Sequence, residues 1–429
     1  MKYEKINSSL FIRNRRNIIK HLEDDSIAVV NSNDVMPTNA DGTMPFIQNS
    51  DLFWLSGIDQ EESILLLYPG HKEKGMREIL FLKETDEHIA IWEGSKLTKE
   101  QAFKNSGIRT VFWLSDFDKI LKSILSQVTC IYLNKNIHSR AAKTVQTRDD
   151  RFRLFIKRDY AGKKIKELAP ILHSLRSIKS KTEIELIQKA CNITERGFRR
   201  ILPKIKPGIM EYEIEAELIH EFISCRSSRF AYQPIIGSGR DSCVLHYIDN
   251  NKACKKGDIL LMDFGAEYAN YASDMTRTVP VSGVFSKRQK NVYNAVLSVM
   301  KEATKMLRPG TLISDYNKEV GKIMESELCG LKLLDKHDIK KQNPKQPLYK
   351  KYFMHGTSHF LGLDVHDVGD FNSPIKEGMV FTCEPGIYIL EEELGVRLEN
   401  DILVTKNNPD DLMKNIPIEI EEIETLMNE

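Results

Sequence analysis

The sequence predicts an α+β chain of two domains: a smaller mixed α/β domain over residues 1–174, and over 175–429 a larger one containing two related halves. Three observations predict it. Through the first third, β-type apolar runs alternate with helical stretches. A capped amphipathic helix then opens a region of longer helices. Within that region "KKGDILLMDFG" (255–265) recurs as "KEGMVFTCEPG" (376–386), and the copies share a glycine (Gly257, Gly378), an apolar run, a carboxylate (Asp263, Glu384) and a closing glycine.

Taken in order, "SIAVVNS", "SILLLYPG", "REILFLK", "HIAIWEG" and "TCIYLN" predict strands, each an apolar run bounded by turn residues. Residues 13–22 and 114–125 have helical spacing. In "LRSIKSKTEIELIQKACNITERGF", Ser180 and Glu183 have the S-x-x-E spacing of a capping box, and Ile184, Ile187, Cys191 and Phe198 keep one face apolar. That helix stops near Pro203 and "KPGI". "MEYEIEAELIHEFISCR" predicts a second helix and "QKNVYNAVLSVMKEATKML", ending at "RPGT", a third, so a helix, a Pro-Gly pair and a further helical run occur twice. The basic stretches "RDDRFRLFIKRDYAGKKIK" and "KHDIKKQNPKQPLYKK" lack aromatic interleaving on a defined face, and read as a solvated helix face and a surface loop. The acidic tail "IPIEIEEIETLMNE" reads as a solvated terminal segment.

Composition excludes several classes. With 41% hydrophobic and 29% charged residues, the 429-residue chain has the balance of a globular protein. A formal charge of +1 makes no electrostatic case for nucleic acid as the main partner. No stretch has the apolar length of a membrane span, and "MKYEKINSSL" has no signal-type apolar run, so a cytoplasmic location is expected. The seven cysteines are scattered and never spaced C-x-x-C, which argues for reduced, mostly buried thiols rather than disulfides or a cysteine zinc site.

The chemistry lies in the repeat. In "GDILLMDFGAEYANYASDMTRTVPV" the short runs on either side of "YAN" predict an antiparallel hairpin. With its tip at Tyr268 and Ala269, Asp263 and Asp274 stand opposite one another, and moving the tip by one residue on each strand still leaves both on one face, because side chains alternate with period two. In "GMVFTCEPGIYILEEELGVRLENDILVT" a tip at Glu391 and Glu392 places Glu384 opposite Glu399 in the same way. Each half thus contributes a pair of inward-facing acids. Four converging carboxylates need compensating positive charge. Two divalent cations supply it, and His355, His359 and His366, clustered in "MHGTSHFLGLDVHDVG", offer a nitrogen ligand. A site this rich in oxygen leans towards Mn2+ or another hard ion.

"YASDMTRT", "HGTSHFLGLDVHD", "EPGIY" and "GVRLEND" resemble signature segments of the pita-bread (creatinase/aminopeptidase) metallopeptidases, most closely the branch of aminopeptidase P and prolidase. "NSDLFWLSGIDQEESILLLYPG" resembles the non-catalytic domain that precedes the catalytic one in that branch, so the likeness spans nearly the whole chain. The resemblance implies that Asp263, Asp274, His359, Glu384 and Glu399 bind two metal ions. Asp274 and Glu399 would bridge both, Asp263 completing one and His359 with Glu384 the other. Mn2+ is the expected ion, with Co2+, Zn2+ and Fe2+ tolerated. It further implies that Glu384 moves the proton in water attack, that His246, His355 and His366 stabilise the substrate carbonyl and oxyanion, that Tyr388 contacts substrate, and that Arg397 orients the acidic cluster. The activity implied is removal of the N-terminal residue from peptides with proline second. Cleavage of Xaa-Pro dipeptides is the near alternative, and a non-catalytic peptide-binding module the distant one. The implied partners are such peptides and further copies of the chain in a homo-dimer or homo-tetramer, with no nucleic acid and no membrane.

Overall fold

Most of the unbroken apolar runs in the first third become the buried central strands of a single sheet. The computed structural model describes residues 2–142 and 144–429. They divide into two units, Tyr3–Arg176 and Ser177–Glu429, the helix Ala169–Arg176 closing the first. In the first unit, strands β1 (Ser26–Asn31), β2 (Ile64–Leu67), β3 (Glu78–Leu82), β4 (Thr110–Trp113), β5 (Cys130–Leu133) and β6 (Lys164–Glu167) form a mixed sheet in the order β4-β3-β2-β1-β5-β6. Every residue of β1, β2 and β5 is buried, which is why these segments read as continuous rather than alternating hydrophobics. Ile27, Val29, Leu66, Phe81 and Ile131 form their core.

Two expectations fail in this unit. "HIAIWEG" is a helix, Glu87–Trp92, because Asp86 caps it by accepting from Ile89 N at 2.7 Å. Ile91 and Trp92 are 79% and 76% exposed, so this run builds no sheet face. The basic stretch after Thr147 is only partly a solvated helix, Arg148–Asp159. Its end, Lys164–Glu167, pairs with β5 as an edge strand, where lysines belong.

The second unit is built twice over. Helices Lys181–Ile201 and Glu211–Ser224 form one pair, and Lys287–Met306 with Ile313–Gly330 the other. The Ser180/Glu183 capping box opens the first. Within each pair a Pro-Gly turn places its glycine, Gly208 or Gly310, at φ 96° or 93°. Gly208 N donates to Cys254 O at 2.8 Å and Cys254 N to Ile209 O at 2.9 Å. Gly310 N donates to Ile375 O at 2.9 Å and Ile375 N to Thr311 O at 2.8 Å, the same pair of bonds one repeat later. A turn follows in each copy, closed by Asp258 N to Lys255 O (3.1 Å) and Met379 N to Lys376 O (3.3 Å). Gly257 and Gly378, at φ 93° and 86°, occupy the position where a type II turn requires glycine. The shared glycines are therefore geometric necessities.

Both turns lead into hairpins. Strand β8 (Ile259–Asp263) pairs with β7 (Ile235–Ser238) and with β11 (Thr276–Pro280), while β9 (Glu267–Tyr268) and β10 (Tyr271–Ala272) continue the β8–β11 hairpin to its tip. The tip lies one residue beyond the expected place, at Ala269 and Asn270 with φ 55° and 66°, the two left-handed residues of a type I′ turn. Asp263 therefore faces Thr276, not Asp274, and Asp274 stands one step along the same face. In the second copy, β12 (Val380–Cys383) pairs with β15 (Asn400–Leu403), and β13 (Gly386–Ile389) with β14 (Leu394–Arg397). Gly386 faces Arg397 and Cys383 faces Asn400, so Glu384 and Glu399 fall opposite each other, as the spacing requires. β16 (Asp410–Asp411) adds to β15.

Gly265 shows how tightly the first hairpin closes. A Cβ there would lie 1.8 Å from Ser273 O. Gly265→Ala is expected to destabilise the unit by about 1–3 kcal/mol through overpacking against backbone, read as a lowered urea midpoint. Two peripheral expectations also change. The tail is not solvated: helix Ile420–Asn428 buries Ile420, Ile423 and Met427. The stretch read as a surface loop contains a short helix, Lys336–Lys341, capped by Asp335. All seven cysteines are free.

Candidate metal centre

Alternation along the hairpins turns four acids to one place. Asp274, His359 and Glu399 each offer a ligand atom within 4.8 Å of the others. His359 comes from a segment bonded alongside β12: its N donates to Thr382 Oγ1 at 3.2 Å and its O accepts from Thr382 N at 3.0 Å. His359 Nε2 lies 3.4 Å from Asp274 Oδ2 and 3.7 Å from Glu384 Oε1. Asp263 sits on the far side, where Arg397 Nη2 donates to its Oδ2 at 2.6 Å.

A hydrogen-bonded chain ties the outer residues together. Arg397 Nη1 donates to Tyr388 OH (2.9 Å), and Tyr388 OH reaches His355 Nε2 (2.8 Å). His355 Nδ1 faces Gly356 O at 2.8 Å and Glu384 Oε2 at 3.6 Å. Because Gly356 O can only accept, the proton of His355 is on Nδ1 and its Nε2 receives the Tyr388 hydroxyl. His366 packs its ring against that of His359, centroids 4.1 Å apart. His246 is exposed, on the segment after β7.

Three further residues belong here that the sequence did not point to. Tyr232 OH donates to Asp263 Oδ1 and to Asp274 Oδ1, so one phenol proton serves two carboxylates. Thr276 Oγ1 accepts from Arg397 Nε at 3.0 Å and donates to Glu399 Oε2 at 2.7 Å, which makes it the link between Arg397 and Glu399. Asp401 Oδ2 accepts from Asp274 N at 3.0 Å and from Cys191 Sγ at 3.4 Å. Thr276 could have been found from the corrected hairpin tip, since it opposes Asp263. Tyr232 precedes β7 in a stretch with no periodicity and carried no signal.

Burial governs the charges. It pushes the Glu384 carboxyl up to about 7 against the opposing pull of His359 and Arg397. It pushes Glu399 well above the carboxylate range, with Asp274, Glu384 and Asp263 adding to the rise. Asp263 is raised by burial and partly held down by Arg397. For His359, burial opposes the charged ring, but the bond to Asp274 and the charge of Glu384 outweigh it and bring the group to about 9. His355 is driven down to about 3 by burial and then by Arg397, so it is neutral. The Tyr232 phenol is held protonated by burial and by Asp263 and Asp274.

These observations fit divalent ions. His359 Nδ1 lies 3.0 Å from Phe360 O, a carbonyl that can only accept, so the ring donates there and its Nε2 is aimed at two carboxylates. An acceptor aimed at acceptors requires a proton or a metal between them, and a bond from the other ring nitrogen to a carbonyl is what fixes a ligating imidazole. The raised carboxyl groups point the same way: without cations the cluster holds protons, and ions of charge +2 would replace them. Among the described residues no helix is long and apolar enough to cross a membrane.

Comparison with known proteins agrees with this geometry. Residues 185–406 match metallopeptidase family M24, and residues 11–132 match the aminopeptidase P N-terminal domain. The Xaa-Pro aminopeptidase of Escherichia coli is 32% identical over 432 aligned residues, and that of Haemophilus influenzae 34% over 431, each match covering 97% of both chains. Zinc-substituted E. coli aminopeptidase P in complex with product superposes with a TM-score of 0.89 at 31% identity, over 99% of both chains. With the repeated hairpins, the acid and histidine cluster and both domains accounted for, the chain belongs to metallopeptidase family M24 and has the pita-bread fold.

Proposed function

We infer that the chain is a dinuclear metal-dependent Xaa-Pro aminopeptidase, releasing the first residue of peptides whose second residue is proline. The observation that carries this reading is the convergence of Asp274, His359 and Glu399, with Glu384 beside them, in a chain that matches Xaa-Pro aminopeptidases from end to end. Asp263, Asp274, His359, Glu384 and Glu399 would hold the ions, and an oxygen-rich set of this kind suits Mn2+. Bound there, the ions would supply Lewis acidity for the carbonyl and acidify water.

The chain's own groups do the rest. Glu384, its Oε1 3.7 Å from His359 Nε2, can take the proton of attacking water and return it to the proline nitrogen, acid–base work that suits a carboxylate held beside the metal ligands. His355 is neutral, its Nδ1 proton held by Gly356 O and its Nε2 by the Tyr388 hydroxyl, which fixes the ring 3.6 Å from Glu384 Oε2. His366 and His246 are assigned to the substrate carbonyl and the developing oxyanion, and Tyr388 to the substrate. Arg397, joined to Asp263 directly and to Glu399 through Thr276, holds one acid from each hairpin at a fixed separation. The same reading makes the enzyme a cytoplasmic homo-dimer or homo-tetramer.

The test is hydrolysis of three substrates by metal-stripped protein before and after Mn2+ is restored: an Xaa-Pro-Xaa tripeptide, an Xaa-Pro dipeptide and a Met-Ala-led peptide. Mn2+-dependent release of the first residue from the tripeptide, with little dipeptide cleavage, is expected. Preference for the dipeptide would make the enzyme a prolidase, and silence on all three with metal bound would leave a binding module.

A further inference from the structure

The segment bearing His359 and His366 is held by two different anchors. His359 is fixed by β12, through its two bonds to Thr382 and through Leu361 N donating to Val380 O at 3.1 Å. His366 arrives on a returning limb, on which Asp367 N donates to Phe360 O at 2.9 Å. Beside that limb Lys179 Nζ meets Asp367 Oδ2 at 3.1 Å, with side chains 1% and 2% exposed. The backbone of Lys179 is also engaged: its N donates at 2.8 Å to the oxygen of Gly378, the turn glycine ahead of β12. One lysine therefore joins the base of the strand that fixes His359 to the residue that follows His366.

The surroundings are shaped to this pair. A Cβ on Gly362 would lie 2.1 Å from Asp367 Oδ2 and 3.0 Å from Lys179 Cε, so the glycine makes room for it. Gly362 O accepts from Ala272 N at 2.8 Å, which ties the limb to the first hairpin as well. A fully buried ion pair is a poor way to gain stability, because an apolar pair of similar volume avoids the desolvation cost. It does impose direction: each charge must stay where the other is.

We propose that Lys179 and Asp367 are positioning residues that hold His366 against His359 and towards the substrate by clamping the 362–367 limb to the base of β12. The substrate role of His366 rests on the function inferred above; the clamp itself does not.

The experiment uses the full chain loaded with Mn2+ and compares wild type, K179M/D367N, H366A and the triple variant. Removing both charges together avoids leaving one buried alone. K179M/D367N is expected to lose about 10–100-fold in kcat/KM on an Xaa-Pro-Xaa tripeptide, the usual cost of losing a group that orients the residues of a metal site. If the pair acts through His366, the triple variant loses no more than H366A alone, whereas independent structural damage multiplies. Amide hydrogen exchange over 362–369 should quicken in K179M/D367N while 380–383 stays protected. Wild-type kcat/KM in the paired variant, or losses that multiply in the triple variant, would overturn the proposal. If wild type cleaves no peptide, the functional reading fails by itself, and exchange over 362–369 still decides the clamp: unchanged exchange overturns it. Should K179M/D367N not fold, D367E keeps the pair but lengthens one arm, and the same cycle with H366A is read on it.

Discussion

Glu384→Gln should reduce kcat by about 10²–10⁴-fold, the range over which positioned acid–base groups act, with kcat measured at saturating Mn2+ and peptide. The substitution is isosteric and leaves an oxygen facing His359, but the side chain can no longer take up and return a proton. Its second consequence is opposite in sign. Ionised Glu384 is disfavoured in the metal-free fold, since burial raises the group from 4.5 to about 7. At pH 8 the neutral amide removes that penalty, so metal-free E384Q should be more stable than metal-free wild type by about 1–3 kcal/mol, a tenfold change in proton affinity being worth about 1.4 kcal/mol. Activity recovering to wild-type level at high Mn2+ would mean that Glu384 serves only as a ligand. A variant less stable than wild type without metal would mean that the acid is not strained there.

How far this site is legible in the sequence varies by residue, and the variation has physical causes. The second hairpin is legible down to its register because a four-residue loop, Leu390 to Glu393, is symmetric about the expected tip. The first is displaced by one position because Asn270 takes a left-handed conformation that apolar patterning does not report. Parity protects the conclusion: a shift by one residue on each strand leaves Asp263 and Asp274 on one face. The Pro-Gly turns are visible as helix stops, but the bonds that make them equivalent, Gly208 to Cys254 and Gly310 to Ile375, join segments far apart in sequence. Tyr232, Thr276 and Asp401 escape notice for the same reason, since each acts on an acid brought near by the fold. "HIAIWEG" misleads because its composition suits a strand while its cap, Asp86, favours a helix.

Chelation should make the protein's stability fall as pH rises from 6.5 to 8.5, and Mn2+ should abolish that fall. In the metal-free fold His359 titrates at about 9 against 6.5 for a free histidine, so its stabilising proton is fully present below 6.5 and is lost as pH rises through 9. Glu384 is raised, the reverse of the usual carboxylate case: its destabilisation is absent below 4.5 and complete above about 7. Both give a native state that binds more protons than the unfolded chain, which makes the slope negative, at most about 1.4 kcal/mol per pH unit for each proton. His355, lowered to about 3, acts in the opposite direction, but its contribution is complete by pH 6.5. Divalent ions compete with these protons, so their apparent affinity climbs over the same window and their stabilisation grows as it does. Thermal denaturation in chelator and in Mn2+ at four pH values measures both slopes. A chelated protein whose Tm is flat or rises between pH 6.5 and 8.5 would show that the cluster holds no proton for a metal to displace, and the charge argument for the two-ion site would fall with it.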